Sequence, residues 1–429
     1  MGISRSEDLC GIPANLRLET GFINHVTQIS LRGMMTDTYI PFHQPSIGEE
    51  EMEAVKQVLA SQWLTTGPVT HEFEAEFASY IGCKHAIAVN SATAALQLAM
   101  DAMGLARGDE VLLPTYTFTA TAEVVTYFGA VPVLVDSTPG GFNIDPADAA
   151  RRITNRTRAI VPVHIAGEPC DLEAIHALAR AHDLHVIEDA AHALPAAHRG
   201  QRIGAISELT AFSFYATKTI TTGEGGMLTT NNDDYARRAR MMRLHGISGD
   251  AWKRYSKHGS WFYEVQEAGY KLNLTDLQSA LGRAQLKKAD EFCRRRRAIA
   301  ERYLEAFSEL EELQCPPGVE QRGGEHSWHL FILRIRPGLL ALERGEFISQ
   351  LGQLGIGTSV HFIPLHLHPF YKRTYGYRPE DFPHAEDAFS RCISLPIFPD
   401  MSDSDVRRVI RAVEHVVTQN RKVALPAAS

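Results

Sequence analysis

One lysine of the chain lies in a context that can turn it into a nucleophile. Lys218 comes just after the apolar segment 211–214, and a run rich in threonine and glycine, residues 219–226, follows it. A lysine that is partly removed from water has a lowered pKa, and its neutral amine can form a Schiff base with an aldehyde. A lone lysine is usually a solvated surface residue instead, so the neighbouring segments have to decide between the two interpretations.

Two other segments place polar groups where predicted strands end. Asp189 closes the apolar segment that contains Val186 and Ile187, at the edge where open α/β sheets bind ligands. A carboxylate there can cap a helix, but together with Lys218 it can also keep a pyridine nitrogen protonated. The segment Asn-Ser-Ala-Thr-Ala-Ala at 90–95 joins a predicted strand to a predicted helix. Free amides at such a helix start can hold a phosphate.

The elements that must position these groups alternate between strands and helices. Helical periodicity predicts helices that include 92–103, 120–128 and 172–182. Apolar or β-branched segments predict strands at 86–89, 111–113, 131–135, 159–163, 185–187, 211–214 and 227–229. Strands that are apolar throughout are buried on both faces, and helices between them give parallel crossovers. We therefore predict an α/β fold with a mostly parallel, seven-stranded central sheet.

The domain organisation follows from a change of spacing along the chain. Residues 1–38 show no period, so we expect a poorly ordered N-terminal extension. The large domain with the central sheet is predicted to span residues 39–285. Residues 286–429 are predicted to form a linking helix and a smaller C-terminal α+β domain. Its predicted elements are strands at 328–335 and 358–362 and helices at 345–354 and 402–417.

Composition argues against several classes of protein. Of the 429 residues, 44% are hydrophobic and 22% are charged, which is typical of soluble globular domains. The formal net charge of −8 offers no general attraction to nucleic acid or to an anionic membrane. We find no long apolar run and no signal peptide, and the six cysteines are scattered, as in proteins with reduced thiols. We therefore expect a cytoplasmic protein that binds neither membrane nor nucleic acid.

Three motifs, taken in their order, resemble one enzyme family. They are Ser-Ala-Thr-Ala at 91–94, Glu-Asp-Ala-Ala-His at 188–192, and Phe-Ser-Phe-Tyr-Ala-Thr-Lys at 212–218 with the glycine-rich segment after it. Over about residues 38–418 the chain resembles the pyridoxal-phosphate-dependent sugar aminotransferases of the DegT/DnrJ/EryC1/StrS family. These enzymes have the aspartate aminotransferase fold. The resemblance extends to the segments 61–68, 269–276, 355–362 and 394–399.

The resemblance implies a set of cofactor contacts. Lys218 corresponds to the lysine that forms the Schiff base with pyridoxal phosphate, and Asp189 to the partner of its pyridine nitrogen. His192 is implied to lie near the phenolic oxygen, which completes the expected catalytic set, and Phe118 is implied to stack on the ring. The implied phosphate contacts are the backbone of Ala92, the side chains of Thr93 and Ser213, and Asn273 of the partner subunit.

The resemblance also implies the reaction. An amino group would pass from glutamate to a nucleotide-linked keto sugar, giving an amino sugar for a surface polysaccharide or glycoconjugate. The segments outside the cofactor contacts are most similar to the branch that acts on UDP-linked 4-keto sugars. A homodimer with shared active sites is implied as well. The expected substrate contacts are Thr65, Thr66, Tyr215, Arg243, Lys271 and His361, with Trp252 as a further aromatic candidate.

Other interpretations stay open at this point. The same motifs fit an aminotransferase for keto-inositols of antibiotic biosynthesis, or a non-catalytic sensor that binds the cofactor, although regulatory relatives often lack the lysine. The basic run 294–297 is expected to be the solvated face of a long helix rather than a nucleic-acid site. No metal is expected, because no carboxylate or cysteine completes the only histidine set with a suitable spacing, His329, His361, His366 and His368.

Overall fold

The computed structural model describes residues 39–247, 262–316 and 323–422. The predicted N-terminal extension, residues 1–38, and the aromatic candidate Trp252 lie outside the described residues. From Ile40 onward the described chain forms one compact unit. The boundary predicted between a large and a small domain stays a prediction.

Helices and strands alternate along most of the chain, as the sequence pattern predicts. The described helices are α1 (Glu49–Ser61), α2 (Pro68–Ile81), α3 (Ala92–Ala102), α4 (Ala120–Tyr127), α5 (Pro146–Arg152), α6 (Leu172–His182), α7 (Asp233–Met242), α8 (Asp276–Phe307), α9 (Arg344–Gln353), α10 (Pro369–Tyr375), α11 (Pro383–Arg391) and α12 (Asp403–Asn420). The described strands are β1 (His85–Val89), β2 (Glu110–Pro114), β3 (Val131–Val135), β4 (Thr157–Ile160), β5 (His185–Asp189), β6 (Ala197–His198), β7 (Gln201–Arg202), β8 (Leu209–Ser213), β9 (Gly226–Thr230), β10 (Leu313–Gln314), β11 (Gly324–Glu325), β12 (Phe331–Ile335) and β13 (Cys392–Leu395).

The central sheet has seven strands in the order β1-β9-β8-β5-β4-β2-β3. The pairs from β8 to β3 are all parallel, whereas β9 runs antiparallel to both of its neighbours. The predicted mostly parallel, seven-stranded sheet is confirmed. Each of the seven predicted strands overlaps one strand of this sheet.

Both faces of the sheet are buried, which explains why its strands are apolar throughout. In β5, Val186 joins one hydrophobic core and Ile187 joins the other. In β8, Phe212 and Ala211 divide between the same two cores. Helices α3, α4 and α7 cover the face of Ile187, and α2, α6 and the start of α8 cover the opposite face. Because side chains alternate along a strand, Asp189 lies on the face that α3 and α4 cover.

A third core includes the second half of the long helix α8 and the elements that follow it. Strands β10, β12 and β13 make a three-stranded antiparallel sheet. Apolar side chains of α8, α9 and α12 pack against it, among them Tyr303, Phe347 and Val413. None of the described helices is long and apolar enough to cross a membrane. The cytoplasmic location stays a prediction.

The strand predicted at 358–362 is wrong. Only one isolated bridge forms there, between Ser359 and Ser394, with two backbone hydrogen bonds of 3.1 and 2.8 Å. Beyond it the backbone is bonded by a side chain instead of a neighbouring strand, because the Tyr116 hydroxyl donates to the carbonyl of His361 at 2.6 Å. Phe362 packs on the ring of His192 and Lys218 acts on the pKa of His361, so both residues adjoin the site described next.

Candidate active site

The site lies where two neighbouring parallel strands end. Strands β5 and β8 pair in parallel, with Asp189 opposite Ala211. Asp189 is the last residue of β5 and Ser213 is the last residue of β8, so both lie at one edge of the sheet. Lys218 follows in a turn that the hydrogen bond from its amide to the Tyr215 carbonyl closes at 2.9 Å. This is the edge at which open α/β sheets bind ligands.

Lys218 is electrostatically suited to nucleophilic chemistry. Burial lowers its pKa to about 8, while the Asp189 carboxylate opposes this change. A lysine with that pKa is roughly one-tenth neutral at pH 7. The neutral amine can attack a carbonyl carbon and can also accept a proton.

Asp189 is a buried carboxylate whose charge the described residues compensate only in part. Its Oδ2 accepts a hydrogen bond from the Thr121 hydroxyl at 2.8 Å, and its Oδ1 accepts one from the Ala191 amide at 3.1 Å. Thr121 is held in turn by the Thr117 hydroxyl at 2.8 Å. Burial nevertheless raises the pKa of Asp189, because the hydrogen bonds and Lys218 only partly compensate. A cation beside this carboxylate would therefore bind favourably.

His192 contributes an uncharged ring to the same site. Its Nδ1 accepts a hydrogen bond from the Ala166 amide at 3.3 Å, which leaves Nε2 to carry the proton. Its ring lies 4.4 Å from that of His329 and 5.6 Å from that of Phe362, almost parallel to the latter. Burial and the charge of Lys218 hold the pKa of His192 well below its usual value. His192 is therefore a neutral hydrogen-bond donor.

The N-terminus of α3 lies beside the end of β8. Ser91 caps this helix through the Ala94 amide at 3.1 Å, so the first-turn amides of Ala92 and Thr93 point beyond the helix. Gly226, which pairs with Ser213, brings the two segments together. A Cβ atom at Gly226 would lie 2.5 Å from the carbonyl carbon of Ser91 and 2.7 Å from the amide nitrogen of Ala92. The absence of a side chain is what allows this approach.

These groups fit pyridoxal phosphate. The helix start and the Ser213 hydroxyl provide donors for a phosphate. The buried carboxylate of Asp189 provides the partner for a protonated pyridine nitrogen, and Lys218 provides the amine for the aldehyde. Ala92, Thr93, Asp189, His192, Ser213 and Lys218 thus lie around one edge of the sheet, and their individual roles towards the cofactor stay predictions.

The remaining expected contacts surround this centre in different ways. Phe118 is 59% exposed and its ring lies 5.9 Å from that of Phe362, while Tyr215 is 47% exposed on the turn of Lys218. His361 donates or accepts a hydrogen bond with the Ser394 hydroxyl at 2.9 Å. Burial and Lys218 lower the pKa of His361 to about 4. These three side chains therefore present neutral surfaces.

Asn273 and Thr66 contact each other within one chain. The Asn273 amide donates to the Thr66 hydroxyl at 2.6 Å, and that hydroxyl donates to the Leu274 carbonyl. Asn273 also forms a β-bridge with Val89, the residue that leads into the α3 turn. Thr65, next to Thr66, and Lys271, two residues before Asn273, are both exposed. Whether Asn273 reaches the phosphate of a second subunit stays a prediction.

Arg243 has a structural environment, which corrects its prediction as a substrate contact. Its guanidinium is buried, pairs with the Glu74 carboxylate and donates to the Ala88 carbonyl at 2.9 Å. Glu74 accepts a hydrogen bond from the Ala88 amide at 2.9 Å. Because β1 is an edge strand, this pair satisfies backbone groups that no neighbouring strand bonds. The pair and its hydrogen bonds lower the pKa of Glu74 to about 2 despite its burial.

Three of the four histidines in the candidate metal set have separate partners in the described chain. His366 bonds the Thr115 hydroxyl at 2.7 Å and lies 3.3 Å from Glu386, whereas His361 bonds Ser394 and His329 packs on His192. Within the described ranges, no group of histidine, cysteine, aspartate and glutamate side chains could hold a metal ion.

The comparison with known families decides the class of protein. The profile of the DegT/DnrJ/EryC1/StrS aminotransferase family matches residues 45–414. The chain belongs to this family. The predicted family and the predicted class of enzyme, an aminotransferase, are confirmed.

Individual relatives match over nearly the whole described chain. SpsC, a spore coat polysaccharide biosynthesis protein of Bacillus subtilis, is 48% identical over 380 residues, which are 88% of this chain and 97% of SpsC. The PLP-form of Spr1654 from Streptococcus pneumoniae has a TM-score of 0.82 at 32% identity, covering 89% of this chain and 99% of Spr1654. DesI, solved in the presence of its TDP-sugar product, has a TM-score of 0.79 at 30% identity, covering 90% and 94%.

Sequence reasoning missed several residues of the site. Thr121 was assigned only to a helix, and His329 was weighed only as a metal ligand. No local pattern marks Thr121, because its partner Asp189 lies 68 positions further along the chain. The packing of His329 on His192 joins positions that are far apart in the sequence, so no local pattern reveals it.

Proposed function

We propose that this family member is a pyridoxal-phosphate-dependent aminotransferase that transfers an amino group from glutamate to a nucleotide-linked keto sugar. The observation that carries the proposal is that Asp189 and Lys218 lie at one sheet edge, close enough to act on each other's pKa, beside the helix start at Ala92. Spr1654 is known in a PLP-form and a PMP-form, which supports the cofactor. DesI was solved with a TDP-sugar product, which supports a nucleotide-linked sugar.

The chain's own residues supply the acid–base chemistry. When bound, pyridoxal phosphate provides an electron sink for the charge released at the α-carbon of the amino donor. The Nζ of Lys218 takes the proton from that carbon in the first half of the reaction. In the second half Nζ returns a proton to the carbon that was the sugar ketone. Asp189 would hold the proton on the pyridine nitrogen of the cofactor. His192 would donate a hydrogen bond from Nε2 to the phenolic oxygen of the cofactor.

The UDP-linked 4-keto sugar is the finer part of the proposal. It rests on the similarity of segments such as 269–276 and 355–362 to the branch that acts on such sugars. The exposed aromatic ring of Tyr215 offers a stacking surface, and Lys271 offers a positive charge for a diphosphate. SpsC, by its name, belongs to polysaccharide biosynthesis, so we assign the amino sugar to a surface polysaccharide or glycoconjugate.

A homodimer with shared active sites is part of the same proposal. The aromatic side chains of Phe118 and Tyr215 are large and exposed next to the site. Such side chains are common at the cores of protein interfaces. In this arrangement the partner's Asn273 completes the phosphate contacts.

A panel of three ketones tests the substrate. Initial rates with glutamate are compared for a UDP-linked 4-keto sugar, a dTDP-linked 3-keto sugar and a free keto-inositol. We expect the fastest amination with the UDP-linked sugar. A preference for the dTDP-linked sugar would overturn the base and ring position but keep the sugar aminotransferase, whereas a preference for the keto-inositol would support the carbocyclic alternative. A protein that binds the cofactor and aminates none of the three would be a sensor.

A further inference from the structure

The segment that precedes α1 runs directly past the catalytic lysine. At one end, backbone hydrogen bonds of 2.8 Å join Ile40 to Gly355 and Gly357. At the other end, the Ser46 hydroxyl donates to Asp400 at 2.8 Å. The segment 40–46 is therefore fixed at both ends, and His43 lies between them.

The imidazole of His43 faces the turn that carries Lys218. Its Nε2 is buried and has no hydrogen-bond partner in the part of the chain that the structure describes. A hydrogen bond to the backbone of Ala216 raises the pKa of His43, and Nδ1 is the nitrogen left to make it. Burial, Arg296 and Lys218 outweigh that bond and lower the pKa to about 3. His43 is therefore uncharged, and we assign this hydrogen bond to its Nδ1–H and the Ala216 carbonyl, since Nε2 has no partner.

The space around this contact is too small for a substrate. A cavity of about 10 Å³ lies between the segment 40–46, the Lys218 turn and α8. Its wall includes His43, Lys218, Gln285 and Arg296. Such a volume holds at most one water molecule. An effect of His43 on the reaction must therefore pass through the turn rather than through contact with the sugar or the amino donor.

We propose that His43 is a positioning residue: anchored by the segment 40–46 and lining one small cavity together with Lys218, its imidazole holds the Ala216 carbonyl and so fixes the turn that presents Lys218 beside Asp189. The inference rests on the proposed function, since it concerns the same lysine. The contact joins the start of the described chain to the catalytic turn across more than 170 residues of sequence. Without it the turn is free to move outward and Lys218 gains contact with water.

The charged and titratable groups around Lys218 set the sign of the expected effect. The Asp189 carboxylate favours the protonated form of Lys218, whereas the neutral rings of the neighbouring histidines add no charge. Burial is the largest cause of the lowered pKa of Lys218. A turn that moves towards solvent relieves this burial, so the pKa of Lys218 should rise. The groups that face Lys218 are Asp189, His192, His329, His361, His43 and, behind His43, Arg296.

The test measures the pKa of Lys218 in the protein without cofactor. Acetic anhydride labels the neutral amine, and mass spectrometry follows the labelling of Lys218 across pH. We expect His43→Phe, which keeps a ring but lacks the donor, to raise the pKa by about one unit or more. His43→Asn, whose side-chain amide donates from the position of Nδ1, should keep the wild-type value. His182→Phe, at the exposed end of α6, is the control for a surface histidine.

Two results would overturn the proposal: an unchanged pKa in His43→Phe, or the same shift in both His43 variants. Nitrogen NMR of the wild-type histidines provides a second measurement that does not depend on how well the phenylalanine variant folds. We expect a neutral His43 ring with the proton on Nδ1, assigned by its loss in His43→Asn. A ring that is charged at pH 7, or protonated on Nε2, would also contradict the proposal.

The labelling separates this inference from the proposed function. It needs no turnover, so its outcome stands even if the wild-type protein aminates none of the three ketones. In the loaded enzyme, we expect His43→Phe to lower kcat with little change in the KM for the keto sugar, and His43→Asn to restore it. A change confined to KM would place His43 in substrate binding instead.

Discussion

At the scale of single residues, the lowered pKa of Lys218 has a consequence for stability. The lysine has a pKa of about 8 in the folded chain and about 10.5 in the unfolded chain, so the unfolded state binds its proton more tightly. The cost is complete below pH 8 and disappears as the pH rises from about 8 to 10.5. Folding of the apo-protein is therefore weakened at neutral pH by the residue that the proposed reaction needs.

We predict that Lys218→Met stabilises the apo-protein at pH 7 by about 1–3 kcal/mol. The gain should shrink towards zero at pH 10.5, because the wild-type lysine is then neutral in the folded state and only half protonated in the unfolded state. Urea unfolding of both proteins at the two pH values measures it. Lys271→Met, at an exposed position, is the matched control and should change stability little at either pH. An equal gain at both pH values would contradict the pKa assigned to Lys218.

Local motifs predicted the central residues of the site because each lies within one strand–turn unit. Lys218, Asp189 and Ser213 all follow a recognisable apolar strand, and the fold brings strand ends together without further information. Thr121 and His43 could not be found in this way. Their partners Asp189 and Ala216 lie 68 and 173 positions further along the chain, and only the tertiary structure joins them.

At the scale of elements, Gly226 controls how closely β9 approaches the start of α3. We predict that Gly226→Ala lowers the affinity for pyridoxal phosphate by about tenfold or more, because its Cβ would displace the amides of Ala92 and Thr93 from Ser213. Titration of the apo-protein with pyridoxal phosphate measures the change. Gly345→Ala in α9 has no neighbouring atoms within 4 Å and should bind the cofactor as the wild type does. Wild-type affinity in Gly226→Ala would show that the turn does not hold the phosphate.

The ion pair between Arg243 and Glu74 leads to a prediction about stability at the edge of the sheet. Arg243→Met should destabilise the protein by about 3 kcal/mol, since it leaves a buried carboxylate and the Ala88 carbonyl without their partner. The KM for the keto sugar should stay the same when measured well below the melting temperature. Thermal unfolding and steady-state kinetics give both values. A large rise in KM with unchanged stability would return Arg243 to substrate binding.

The sequence pattern was reliable for strands of the central sheet and less so near the site. Strands such as β5 and β8 are buried on both faces, so an apolar run predicts them directly. The segment 358–362 is equally rich in β-branched and aromatic residues, but its backbone bonds a single residue of β13 and the Tyr116 hydroxyl. The strand propensity of the residues cannot distinguish a segment that pairs with neighbouring strands from one whose backbone bonds a single residue and a side chain.

At the scale of the whole molecule, a mixed dimer tests whether the active sites are shared. One subunit carries Lys218→Ala and the other carries Asn273→Ala. If Asn273 acts across the interface, one site contains both substitutions and the other contains neither, so about half of the wild-type activity should return. If each site uses its own Asn273, both sites are damaged. Activity no higher than that of the better parent homodimer would reject the shared site.

Transfer of isotopically labelled nitrogen tests the central claim most directly. The protein, loaded with pyridoxal phosphate, is incubated with labelled glutamate and the UDP-linked 4-keto sugar, and mass spectrometry follows the sugar. We predict that the wild type places the label on the sugar carbon that carried the ketone, and that Lys218→Ala is slower by about a thousandfold or more. Label transfer at the wild-type rate by Lys218→Ala, or no transfer by the wild type to any of the three ketones, would contradict the account.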